Sequence, residues 1–348
     1  MIPDALFEAI CAAPDDDEPR AVLADHLIQR GDPRGTFIAL QLRRAREGGW
    51  ASKPERQLLK RHGHRWCGAL APVLSPRGLR FERGFLHTAR VRGRWDRRDL
   101  AVLTDAVGRG EWRTLHALTC PRQIPDDEEV HEAALALLTH PVLGGLRVLH
   151  GLSAPLAGAL QRSDPPACLE AIGLHEVQAG GAPGLGADSL PGVRRLALTG
   201  DVHLHDLGWL WDCPLWPRLE GITVMSRFYD DTRREAAYLD ALASHAANAL
   251  QRIDLVASCR HPAQPQGWTL RFTRDTQGRF TQLTAIPSTT SGTRDRACSA
   301  LLRALEVLDP NAISALSIVR GPGFRPTRDQ VEQITTACGR FGLQHLEV

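Results

Sequence analysis

The chain has 348 residues, 43% apolar and 24% charged, with 42 Lys+Arg against 40 Asp+Glu and a formal net charge of +2. That length suits two structural units or one elongated one, and the composition is that of a folded globular protein, which excludes a disordered tail, a small disulfide scaffold and any global pull toward nucleic acid. No apolar run reaches the ~18 residues of a membrane span and no secretory leader opens the chain, so a cytoplasmic protein is expected.

Residues 1–75 read as helices. Ile2, Leu6, Phe7 and Ile10 recur at helical spacing. The acidic run Asp15–Glu18 followed by Pro19 marks a helix start, because carboxylates suit the N-terminal dipole and proline has no N–H to lose there. The same run could hold a divalent cation or an Arg-rich partner, but the helix start already employs its carboxylates. Val22, Leu23, Leu27 and Ile28 give this helix an apolar face that ends at Gly31. Asp32-Pro33 starts the next, with Phe37, Ile38, Leu42 and Ala45 as its stripe and Gly48-Gly49 as its stop. Ser52-Lys53-Pro54-Glu55 spells a capping box, and Leu58, Leu59, Trp66 and Leu70 follow. His62 and His64 sit where a helix C-terminus favours basic groups.

From about residue 80 the texture changes to short strands with an L-x-x-L-x-L spacing. The clearest are Leu169/Ile172/Leu174, Val193/Leu196/Leu198, Leu219/Ile222/Val224, Leu250/Ile253/Leu255, Ile313/Leu316/Ile318 and Leu343/Leu346/Val348. Weaker copies are Leu115/Leu118, Leu146/Leu149 and Phe280/Leu283/Ile286. Successive copies lie 23 to 33 residues apart, close to the ~20–29 residue period of leucine-rich repeats. Helical stretches fill the intervals, led by Asp96, by Asp126-Asp127, by Asp230-Asp231 and by the capping box Thr327-x-x-Gln330, whose helix Gly342 closes. Residues 176–192 are Gly/Pro-rich and read as a surface loop. Trp268–Phe272 and Phe280–Ile286 flank Asp275-Thr276-Gln277-Gly278, which predicts a hairpin in place of one helix. Asn, whose amide ladder usually satisfies the turns of such repeats, occurs only at Asn248 and Asn311. The eight cysteines are scattered and form no C-x-x-C, so they are expected to be free thiols rather than zinc ligands or a redox pair.

The text from Pro14 to Arg20, then Leu23-Ala-Asp25-His-Leu27, Arg30-Gly31-Asp32-Pro33-Arg34-Gly35, Phe37-Ile38 and Leu40-Gln41 resembles the repeat-companion domain of bacterial genomes, which precedes leucine-rich repeats. His26 departs from the tryptophan of the family's Ala-Asp-Trp-Leu run, and Arg83-Gly84-Phe85-Leu86 fits the family's junction with the repeats. The resemblance implies a helical cap followed by repeats and brings no activity, cofactor or catalytic residue. It also motivates an ion pair of Asp25 with Arg30 or Arg34. The expected fold is thus α/β, a leucine-rich-repeat-like solenoid with a parallel sheet, over 81–348, capped by a helical domain over 1–80.

Strand alternation turns the residues between the leucines onto the other sheet face. That face holds the candidate partner-binding residues His175, Arg195, Thr199, Thr223, Met225, Arg252 and Asp254 among small neighbours, and it is expected to be neutral and smooth. The function expected from this is a non-enzymatic scaffold for a protein partner, with no cofactor and no metal. Two alternatives carry residues of their own. Arg43, Arg44, Arg46, Arg56, Arg61 and Arg65 could contact nucleic acid, and His203 and His205 beside Asp206 could hold a hydrolytic metal if they lay on a strand. Trp209, Trp211 and Trp216 read as packing between repeats, with an exposed aromatic anchor as the alternative. The final Leu346-Glu347-Val348 offers an edge for self-association, against which stands inward pairing under the last helix.

Overall fold

The computed structural model describes residues 3–93, 97–121, 127–175, 185, 190–200, 202, 207–226, 233–259, 266–288, 301–302, 305–306, 308–319 and 327–341. The chain is mixed α/β with mostly parallel strands. It divides into two compact units, Met1–Leu152 with Ala159–Leu169, and Ser153–Gly158 with Glu170–Val348. No helix among the described residues is long and apolar enough to cross a membrane.

The first unit opens with α1 (Asp4–Ala12), α2 (Glu18–Gln29), α3 (Pro33–Glu47) and α4 (Lys53–His62). The stripes of α1, α2 and α3 meet in one core of Ile10, Leu23, Ala24, Leu27, Ile38, Leu42 and Phe85, to which α4 adds no residue; Val22 and Ile28, expected on the apolar face of α2, are exposed. Phe37 adds a second cluster, 4.7 Å from the Trp66 ring and edge-on to Phe81 at 5.9 Å. Two helix starts differ from expectation. Asp17 makes no side-chain cap, and Asp16 instead accepts from the Glu18 N–H at 2.9 Å. Ser52 accepts from the Glu55 N–H at 3.3 Å, but the Glu55 carboxylate turns inward to Gln41 and Arg44, so only half of the capping box forms. Among the described residues no ion pair joins Asp25 to Arg30 or Arg34. Arg34 lies over the Phe85 ring at 5.0 Å, and burial pushes its guanidinium down to about 10.

Strands β1 (Arg80–Glu82) and β2 (Phe85–Arg90) form an antiparallel hairpin. Its two turn residues, Arg83 and Gly84, have φ of 49° and 86°, the positive pair of the tight turn that matches strand twist. Strands β3 (Ala117–Thr119) and β4 (Val148–Leu152) add in parallel, aligning the buried Ala89, Leu118 and Leu149. α5 (Arg97–Ala106) and α6 (Glu128–Leu138) make the crossovers that parallel strands require. Asp127 caps α6 as expected, accepting from the Val130 N–H at 3.4 Å. α7 (Ala154–Gln161) follows β4 in the chain.

In the second unit β5 (Ala171–His175), β6 (Arg195–Gly200), β7 (Gly221–Ser226) and β8 (Arg252–Cys259) run parallel, each beside the next in chain order. The predicted hairpin is present: β9 (Gln266–Arg274) pairs antiparallel with β8 and with β10 (Phe280–Ser288). β11 (Ala315–Ile318) resumes the parallel order. α8 (Gly208–Trp211), α9 (Arg233–Ser244) and α10 (Arg328–Gly339) also belong to the unit, the last with the full Thr327/Gln330 capping box. The leucine-type positions from Leu169 to Leu255, and Ile313, Leu316 and Ile318, are all buried. One register needs correcting. A bulge between Phe280 and Gln282 lets Phe280 and Leu283 both face inward, and alternation from Leu283 then buries Ala285 and puts Ile286 on the opposite face. The Leu343/Leu346/Val348 copy, Asp96, Asp126, Asp230-Asp231, Gly342 and most of the 176–192 loop lie outside the described residues.

Candidate interaction surface

Residues two apart on a strand share a face, and paired residues on neighbouring strands share it too. In the second unit, the face away from the leucines therefore includes three rows that cross most of its strands. From β5 to β11 the first is Ala171, Arg195, Gly221, Arg252, Thr273, Gln282 and Ala315. The second is Gly173, Ala197, Thr223, Asp254, Arg271, Thr284 and Ser317. The third runs His175, Thr199, Met225, Val256, Thr269 and Ile286. All seven sequence-predicted candidates stand in these rows.

Charges concentrate in the middle of the face. Asp254 is 4% exposed. It accepts two hydrogen bonds from Arg271, Nε at 2.9 Å and Nη2 at 3.2 Å, and the Arg252 Nε lies 3.3 Å away on its other side. A carboxylate this deep is stable as an ion only because the fork of a guanidinium replaces its water. Arg195 pairs with Glu170 at 2.9 Å. The expected neutral, smooth face is corrected accordingly: three arginines and Asp254 stand in its rows, and Glu170, just before β5, pairs with one of them. Floors of Ala171, Gly173, Ala197 and Gly221 flank this cluster.

Hydroxyls tie the neighbouring strands together. Thr199 Oγ1 donates to the Leu174 carbonyl at 3.0 Å and lies 3.2 Å from His175 Nδ1. Ser317 donates to Thr284 at 3.2 Å, and Thr273 to Gln282 at 3.3 Å. Thr223 and Met225 are half-buried and sit between these polar groups.

Sequence reasoning missed Arg271, Thr273, Gln282 and Thr284. The signal was present in the alternation of Thr269, Arg271 and Thr273 with Trp268, Leu270 and Phe272, the latter three fully buried. Recognising the hairpin without its register left Arg271 unassigned to a face.

The other sequence candidates fall elsewhere. Trp216 is buried and donates from Nε1 to the His245 carbonyl at 2.8 Å. Trp211 stacks on His245 at 4.4 Å and meets Trp216 edge-on at 4.9 Å, so both pack as expected. Of the basic candidates, Arg44 pairs with Glu55 at 3.1 Å and Arg46 bonds the Leu42 carbonyl at 3.4 Å, while Arg43 is exposed. His203, His205 and Asp206 lie outside the described residues. Among the described residues no three His, Cys, Asp or Glu side chains are placed to hold a metal ion.

No protein-family model, curated protein or solved structure matches the chain.

Proposed function

We propose that this chain is a non-enzymatic cytosolic scaffold, a leucine-rich-repeat-like solenoid with a repeat-companion-type helical cap, and that it docks a protein on the three-row face of β5–β11. The observation that carries the reading is the register. Parallel strands in chain order turn their leucines into the core and bring small, hydroxyl and charged side chains into unbroken rows on the other face. Small residues let a partner's backbone approach, and half-buried Thr223 and Met225 supply contact area beside fixed charges. Free cysteines, among them buried Cys67, Cys120, Cys213 and Cys338, fit a reducing compartment.

Affinity capture from native cell extract tests it. Met225→Glu should lose the partner that the unaltered chain retains, whereas Val22→Glu, on exposed α2 surface, should keep it. Equal capture by both variants, or a captured species that is nucleic acid alone, overturns the reading.

A further inference from the structure

The charge cluster on β6–β9 is not balanced. Arg195, Arg252 and Arg271 face two carboxylates, Glu170 and Asp254. Arg271 commits Nε and Nη2 to Asp254, and Arg195 commits Nη2 to Glu170. Arg252 differs from both. Its Nε is buried and lies 3.3 Å from Asp254 Oδ2 without the alignment of a hydrogen bond. Among the described residues, none accepts a hydrogen bond from its Nη1 or Nη2. The side chain is one-third exposed and only Nε is among the buried atoms without a partner, so Nη1 and Nη2 face water and are open to an acceptor from outside.

The missing side chain at Gly221 makes room for the guanidinium itself. A Cβ at Gly221 would lie 3.6 Å from the Arg252 Nε and Nη2 and 3.6 Å from the Arg195 Cγ. The Arg252 fork therefore lies over the neighbouring strand, between the Arg195 stem on one side and Asp254 on the other. Asp254 lies against its Nε edge, and the side chain keeps one-third of its surface exposed.

We infer that Arg252, lying over Gly221, is a carboxylate-binding site, and that its occupant is an Asp or Glu side chain of the docked protein. The inference rests on the reading of this face as a docking surface and names the partner's chemistry. A carboxylate matches the planar fork and neutralises the single surplus charge. A phosphate backbone suits the site poorly, because Asp254 and Glu170 alternate with the arginines and would repel successive phosphates.

Fluorescence anisotropy with a labelled hexaglutamate peptide, blocked at both ends, tests the site on the full chain at low salt. The unaltered protein should bind it, and the matching hexaglutamine peptide should bind at least tenfold more weakly. Arg252→Gln should weaken hexaglutamate binding at least tenfold, and exposed Arg43→Gln should leave it unchanged. Gly221→Asp supplies the carboxylate in cis. Its φ is not in the left-handed region and its neighbours stand at ordinary contact distance, so it should fold, raise Tm slightly and lose hexaglutamate binding tenfold. Equal binding of the two peptides, unchanged binding by Gly221→Asp, or tighter binding of an octathymidylate than of hexaglutamate overturns the site. The two proposals fail separately. If the native partner is lost by Met225→Glu but retained by Arg252→Gln, the face stands and the carboxylate site falls.

Discussion

Two polar clusters, one in each unit, are built from similar side chains and do opposite things. In the first unit Gln41 is 2% exposed and Glu55 3%. Gln41 Nε2 donates to the Phe81 carbonyl at 3.1 Å and to Glu55 at 3.0 Å, and its Oε1 accepts from the Gly84 N–H at 2.7 Å. One side chain thereby joins α3, α4 and the β1–β2 hairpin. In the second unit Asp254 is as deeply placed, yet the arginines that hold it are one-third exposed and one keeps donors to spare. The inward cluster meets every polar atom of the Gln41 amide and leaves only an acceptor, Glu55 Oε2, without a partner; the sheet-face cluster leaves cationic donors open to solvent. Burial alone does not distinguish them, but the count of donors left over does.

If the first cluster is structural, disturbing it should have the largest effect on stability. Gly84→Ala places a Cβ 2.2 Å from Ile38 Cγ1 at a φ of +86°, and overpacking with the left-handed penalty should cost about 2–4 kcal/mol by denaturant titration. Gln41→Ala orphans the Gly84 N–H and the Phe81 carbonyl and should cost about 2–3 kcal/mol. On the open side, Asp254→Ala leaves Arg271 and Arg252 facing each other. Both are solvent-screened, so we expect about 1–3 kcal/mol, shrinking as salt is raised. A larger loss from Asp254→Ala than from Gln41→Ala would reverse the contrast.

A pH effect sharpens the same comparison within the β9–β10 turn. Asp275 accepts from the N–H groups of Gln277 at 2.8 Å and Arg279 at 2.9 Å and from the Thr281 hydroxyl at 2.9 Å. The Arg279 N–H bond, first among these, holds its carboxyl below the ordinary 3.8. A depressed folded value means the stabilisation is complete above the unfolded value and is lost as pH falls through the folded one. Tm should therefore drop between pH 4 and pH 2 by more in the unaltered chain than in Asp275→Asn. The smallest effect is a reactivity. Burial pushes the Cys120 thiol up to about 12 and Cys67 and Cys338 to about 11. At pH 8 a thiol reagent should modify exposed Cys168 in the folded chain and reach Cys120 only after unfolding.

Much of this was legible in the residues, and the failures have physical causes. The L-x-x-L-x-L positions read correctly because burial of a leucine side chain is worth about 2 kcal/mol and overrides local preferences. Phe280/Leu283/Ile286 misread because Ile286 lies three residues after Leu283 on a regular stretch of strand, so alternation turns it to the other face and puts Ala285 inward. The Ser52 box misread because Glu55 gains more from buried Gln41 and Arg44 than from its own cap. At the candidate site, His175, Arg195 and Arg252 followed from period-2 alternation alone. Arg271 did not, because its place beside Asp254, 17 residues earlier, is set by antiparallel pairing that no local pattern encodes.

The claim that most of this depends on is that the β5–β11 face meets a protein. A photo-reactive benzophenone side chain introduced in living cells at Thr223 or Met225, with exposed Glu132 on α6 as control, tests it directly. We expect the first two positions to cross-link to one and the same protein and Glu132 to give no such product. Cross-links from Glu132 alone, or attachment of nucleic acid at Thr223 and Met225, would contradict it.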